Sequence, residues 1–194
     1  MQIADLLRQT GGLDAIAREL GISETDATRG AEALAPVILG GFKKAAGGSA
    51  AEPSADGVAG LGALVAQLGG ASLLDDVVAT DATHVERGNG VLGRIFGSRD
   101  VSRDVVADAA ARTGLDESML ARMLPRLAML IAGYLGSQAT TTREQTRRRE
   151  LGVLLGGVVG RGKPGASDAS LASVLDLAGS GKALDEILDK RAQR

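Results

Sequence analysis

Gly88-Asn89-Gly90-Val91-Leu92-Gly93-Arg94-Ile95-Phe96-Gly97-Ser98 stands near the middle of the chain and holds one of its two phenylalanines. Gly88 to Gly90 reads as turn chemistry, because glycine and asparagine tolerate positive φ. Val91, Leu92, Ile95 and Phe96 then recur on one face of a short helix. Gly97 is placed to end that helix, and Ser98 to cap the next one. Gly93, without a side chain, would let a neighbouring backbone come close. The stretch thus reads as a buried helical plug, with Gly90, Leu92, Gly93, Ile95, Phe96 and Gly97 as its structural motif. Leu92, Ile95 and Phe96 are expected among the most enclosed side chains. A phosphate-binding glycine loop does not fit, since there is no Gly-Lys-Ser/Thr ending and no preceding strand.

Working outward, helical spacing repeats on both sides. Ile3 to Gln9 and Leu13 to Leu20 read as short amphipathic helices, ended near Gly11 and at Gly21. Ser23, with Asp26 three residues on, starts a long helix to about Ala45. Its buried stripe is Ala27, Ala31, Leu34, Ile38 and Phe42, and Pro36 should kink it. Gly47 to Ser54 reads as a linker. Val58 to Leu68 and Leu73 to Val78 are two more helices, and Asp81 to Arg87 a polar loop. Beyond the centre, Val101 to Thr113 is a helix ended by Gly114. Asp116 caps another long helix to about Ser137, with Leu120, Met123, Leu124, Leu127, Leu130, Ile131 and Tyr134 as its apolar stripe and Pro125 as its kink. Arg161 to Asp168 reads as a second linker, and Leu171 to Leu177 and Ala183 to Ala192 as short helices. Nothing alternates with the two-residue period of a strand.

Composition agrees with a helical globular chain. Among 194 residues, apolar residues make up 44% and charged residues 24%, as in ordinary soluble proteins. Aromatics are 2%, so the core must be built from Leu, Val, Ile, Ala and Met. The 28 glycines, some inside apolar segments, suggest helices packed closely through small residues. A net charge of −2 gives no overall attraction to nucleic acid or anionic lipid. Zero cysteines exclude disulfides and thiolate metal sites. The N-terminus lacks a signal-peptide pattern, and the best apolar run, Met119 to Leu135, is broken by Arg122, Pro125 and Arg126. A cytoplasmic chain without a membrane span is expected.

Sliding the chain by 93 positions superposes Ala17, Gly21, Ile22, Ser23 and Glu24 on Ala110, Gly114, Leu115, Asp116 and Glu117. Leu34-Ala35 then falls on Leu127-Ala128, Ile38 on Ile131 and Gly40 on Gly133. Each unit, about 13–46 and 106–137, is a short helix, a glycine turn and a capped long helix. Duplication is the favoured explanation. The prolines are out of register, so a shared helix-turn-helix habit without common descent stays open.

The strings Gly11-Gly12-Leu13, Leu20-Gly21-Ile22, Leu73-Leu74-Asp75-Asp76, residues 88–98, Thr113-Gly114-Leu115 and Leu124-Pro125 together resemble the YidB-like bacterial family, a domain of unknown function (number 937). The resemblance covers roughly residues 1–136. It implies an all-helical fold and bacterial origin, and it passes no catalytic residues to this chain. The organisation expected is all-α and multihelical: two similar helix-turn-helix units packed around the central glycine-flanked helix in a domain of residues 1–137, then a helical glycine-rich extension, 138–194.

Chemistry finds little foothold. The one histidine, His84, lies among Asp75, Asp76, Asp81 and Glu86, without a recognised metal-ligand spacing. A solvated loop explains it more simply, and no cofactor, metal or catalytic residue is expected. Ile16 to Ser23 resembles the start of a DNA-binding helix-turn-helix. The second helix, however, offers Glu24, Asp26 and Glu32 beside Arg29, and such acids repel phosphates. A nucleic-acid binder is therefore the runner-up to a non-catalytic interaction or scaffold domain. Arg143 to Glu150 is the strongest basic cluster, read as a solvated helix face or a contact for an acidic partner. Gly152, Gly156 and Gly160 recur every four residues and so share a face. They are the candidate self-association surface, making the chain itself one candidate partner.

Overall fold

The computed structural model describes residues 3–47, 55–79, 81–155 and 186–189. Eight helices follow in chain order: α1 (Ile3–Gln9), α2 (Gly12–Leu20), α3 (Glu24–Ala45), α4 (Ala55–Leu68), α5 (Ser72–Val78), α6 (Val85–Phe96), α7 (Arg99–Thr113) and α8 (Glu117–Leu155). Residues 186–189 add one helical turn, and there is no strand among the described residues. The fold is all-α and multihelical.

Helix α8 is the hub, and it packs against each of the other seven. Its side chains Leu120, Met123, Leu127, Ala128, Met129 and Leu130 are fully enclosed. They meet the equally enclosed Ala27, Ala31, Leu34, Ile38 and Phe42 of α3 in one continuous core. Glycines let the neighbours come this close. A Cβ on Gly136 would lie 2.6 Å from the Gly70 carbonyl carbon, and one on Gly133 would collide with the Leu74 backbone. By length and composition Glu117–Thr141 could cross a membrane, despite Arg122, Pro125 and Arg126, but 78% of the apolar window is buried inside the fold. Its apolar side chains are spent on the core.

The local signals act where the sequence placed them. Ser23 Oγ accepts the Asp26 amide at 3.0 Å and caps α3. Gly21 and Gly114 close α2 and α7 at φ 66° and 71°, where a Cβ would be strained. Asp116 accepts the Met119 amide at 3.1 Å and caps α8. The α2–α3 and α7–α8 pairs therefore share one construction: helix, left-handed glycine, side-chain cap, long helix. Both long helices run on through their prolines, Pro36 and Pro125.

Five expectations are corrected. Asp81 to Arg87 is not all loop, because α6 already begins at Val85. Gly88, Asn89 and Gly90 are helical rather than a turn. Gly88 is glycine for contact, since a Cβ there would lie 2.5 Å from the Pro125 carbonyl oxygen of α8. The close approach assigned to Gly93 therefore occurs five residues earlier, and Gly93 itself has nothing within 4 Å of a built Cβ. The central helix is not enclosed on all sides. Gly88, Val91, Leu92 and Ile95 are buried, Asn89, Gly90, Gly93 and Arg94 are exposed, and Phe96 is half-buried. Phe96 ends its helix at the rim, where its ring lies over Gly41 of α3.

Fifth, α8 does not stop near Ser137 but continues to Leu155, past the expected domain boundary at 137/138. No proline or glycine interrupts residues 138–151, so nothing local ends the helix there. Gly152 lies in its last turn, while Gly156 and Gly160 fall outside the described residues, as do both expected linkers almost entirely and the helix expected at Leu171 to Leu177. Within the segment expected as helix at Ala183 to Ala192, Ile187 is buried and belongs to the core.

Candidate functional site: a groove between α6, α7 and α8

The turn from α6 to α7 takes two residues. Gly97, at φ 74°, donates its amide to the Gly93 carbonyl at 3.0 Å, and Ser98 Oγ accepts the Val101 amide at 3.4 Å. Helix α7 leaves at once, held to the core by Val101, Val105 and Ala109. The Gly114 turn then sends α8 back under α6, where Gly88 meets Pro125. Three helices so joined leave a groove of about 1140 Å³. Leu92, Val106, Leu124 and Pro125 form its apolar floor. Gly93 and Gly97 leave the α6 wall bare, while Ala107 and Ala121 are small, exposed residues of the other two walls.

Charged groups line the groove near both ends, with Asp104 next to Arg103. Arg99 and Arg103 stand on the first turns of α7, with Arg103 3.9 Å from Asp100. Asp116 and Glu117 stand at the start of α8. The Ser118 hydroxyl and the Met119 amide both donate to Asp116, which holds its carboxyl below the usual range and keeps it ionised.

Two further polar clusters are clips between helices. Glu19 of α2 accepts Nε and Nη2 of Arg126 on α8 at 2.9 and 2.8 Å. It also accepts the Thr83 hydroxyl at 2.6 Å and the Thr83 amide at 3.2 Å. Bonding to Arg126 outweighs partial burial and, helped by Thr83, lowers the Glu19 pKa to about 2. The second clip joins α5 to α6. Asp76 meets His84 Nδ1 at 2.8 Å and Arg87 Nη1 at 2.8 Å, and Arg87 also donates to Ser72 Oγ at 3.0 Å. Burial raises the Asp76 pKa, but the bonds from His84 and Arg87 outweigh it and leave the carboxyl lowered. The same Asp76 bond raises the exposed His84. His84 is thus tied to Asp76 rather than simply solvated, and the remaining acids of that stretch do not converge on it. No group of three or more His, Asp or Glu among the described residues is placed to hold a metal.

The structure brings Leu92, Gly93 and Gly97 to the groove and keeps Ile95 in the core. Gly90 lies outside the groove. Sequence reading missed the contributions of Arg99, Arg103, Asp116 and Ala121, which become neighbours only through two tight turns.

The central stretch and Leu124-Pro125 thus line the groove together with the first half of α7 and the start of α8. The family described as "Bacterial protein of unknown function (DUF937)" matches residues 5–138, which contain the whole groove. The chain belongs to this family. The YidB-like resemblance read from the sequence agrees with it. No curated protein and no solved structure matches the chain.

Proposed function

We propose that the chain is a non-catalytic protein-interaction domain whose docking surface is the groove between α6, α7 and α8. One observation carries this reading: an apolar floor of Leu92, Val106 and Leu124 lies under a space of about 1140 Å³ with small, exposed walls. Such a trough suits a side of another polypeptide. Supporting it, the strongest ionisable clusters elsewhere are satisfied as clips, Glu19 with Arg126 and Asp76 with His84 and Arg87.

The nucleic-acid reading gains no support at the start of α3. The shallow pocket there puts Glu24 and Glu32 beside Arg8 and Arg29, and the acids offset the attraction to a phosphate backbone. We read the α2–α3 and α7–α8 pairs as copies of one unit, supported by their matching glycine stops and caps. A cytoplasmic setting fits the ordinary composition and the net charge of −2.

A photo-crosslinking residue at Ala121, inside the groove, tests the docking surface in bacterial cells. It is expected to yield a discrete set of protein adducts that the same residue at exposed Arg29 does not give. Identical adducts from both positions, or none from Ala121, would defeat the proposal.

A further inference from the structure

The groove has a length and a polarity. Its more basic end, Arg99 and Arg103 with Asp104 beside them, lies near the α6–α7 turn, and its acidic end, Asp116 and Glu117, beside the α7–α8 turn. Helix α7 runs from the one to the other over 15 residues, about 22 Å at about 1.5 Å per residue. A helix about 10–12 Å across, half sunk in about 1140 Å³, extends over roughly four turns. Pro125 adds a polar feature, since it has no N–H for the carbonyl of Ala121 four residues before it. Both residues line the groove. On the α6 wall, Gly93 is helical and not left-handed, and nothing lies within 4 Å of a Cβ built on it. Nothing within the described chain excludes a side chain there.

We infer that the groove receives an amphipathic helix of a partner protein, about four turns long and bearing opposite charges at its two ends. The inference rests on the interaction reading above and names the partner's chemistry. The apolar stripe of that helix lies on Leu92, Val106 and Leu124. Its acidic end faces Arg99 and Arg103, and its basic end faces Asp116 and Glu117, where a long basic side chain also reaches the Ala121 carbonyl. A helix dipole favours acids at the N-terminus and bases at the C-terminus. The bound helix therefore runs parallel to α7.

The test is a displayed library of 14-residue helices. Leucines are fixed at helical spacing, and the two end turns are randomised among Glu, Lys and Gln. Panning against the full chain is expected to enrich Glu in the first turn and Lys in the last. A synthetic winner, measured by fluorescence anisotropy, should lose about tenfold or more in affinity with Gly93→Leu, which fills the groove, and stay within about twofold with Gly90→Leu, which lies outside it. Ala121→Trp provides a second block should Gly93→Leu fail to fold. Making both ends of the groove acidic, with Arg99→Glu and Arg103→Glu, should replace Glu by Lys in the enriched first turn, whichever way the helix runs. Winners with uniform or random ends, or binding that survives both blocks, would overturn the inference. So would a chain that is dimeric and becomes monomeric on blocking, since the occupant would then be a second copy. Adducts at Ala121 together with charge-indifferent winners would remove this inference and leave the interaction reading standing.

Discussion

Replacing Glu19 by glutamine tests the clip that ties α2 and the loop before α6 to the hub helix. The carboxylate accepts four hydrogen bonds, two from Arg126 and two from Thr83. Arg126 and Glu19 are 12% and 23% exposed, so the pair is neither a surface bridge nor fully buried. Exposed pairs contribute about 0–1 kcal/mol, and breaking a buried pair costs about 3–5 kcal/mol. Glu19→Gln, which keeps the shape but leaves Arg126 without its counterion, should cost about 2 kcal/mol. The pH dependence identifies the cause. The folded pKa, about 2, lies below the ordinary 4.5. The clip's stabilisation is therefore complete above pH 4.5 and is lost progressively as pH falls towards 2. Urea unfolding of both proteins, in steps from pH 6 to pH 2.5, should show the gap narrowing over that window. A gap below about 0.5 kcal/mol at pH 6, or one that stays constant down to pH 2.5, would refute the reasoning. Adding Arg126→Leu to Glu19→Gln should recover part of the loss, because no unpaired guanidinium then remains.

Other variants address the central helix and the second clip. Gly88→Ala should destabilise by about 1–3 kcal/mol, since the new methyl meets the Pro125 carbonyl, whereas Gly93→Ala should stabilise by up to about 1 kcal/mol; urea midpoints compare them, and equal effects would contradict the packing described. Phe96→Ala should cost about 1–2 kcal/mol, below the roughly 3–5 kcal/mol of a fully enclosed ring, because the ring is half-buried; a loss above 3 kcal/mol in the same assay would mean it is enclosed. His84 is the single histidine, so its NMR titration is free of overlap. Its midpoint should lie above 6.5 and fall towards 6.5 in Asp76→Asn; the pair's stabilisation is then full below pH 6.5 and fades as pH rises through the raised value.

The helices were legible because their determinants are local. The stripe from Leu120 to Tyr134, the Ser23 and Asp116 caps and the Gly21 and Gly114 stops each need only a few neighbouring residues. The central glycines show where that reading fails. Gly88 carries the same symbol as a turn glycine, but its reason is a carbonyl 37 residues away on another helix. The far end of α8 carries no such local mark: the apolar stripe ends at Tyr134, but polar, arginine-rich residues without glycine or proline do not stop a helix, which runs on to Leu155. Glu19 and Arg126 are separated by 107 residues, and no periodicity connects them. Half of the groove was visible in the stretch 88–98. The other half required knowing that α8 returns beneath α6.

The segment from Ala121 to Arg126 joins stability to the groove. Arg126 is anchored through Glu19 to α2, Pro125 meets α6 at Gly88, and Leu124 and Pro125 are groove floor while Ala121 is groove wall. These contacts face different neighbours, so they can fail separately. Glu19 does not line the groove. Losing its charge loosens α2 and the loop at Thr83 but leaves the Gly88–Pro125 contact, and with it the spacing of α6 and α8, in place. A methyl on Gly88 acts on that spacing directly. It pushes α6 away from Pro125 and moves the Leu92 and Gly93 wall relative to Leu124. Of two variants with similar losses of stability, the one at Gly88 should therefore impair docking and the one at Glu19 should spare it. The reason lies in the construction: the core fixes α8, and α8 in turn fixes one side of the groove.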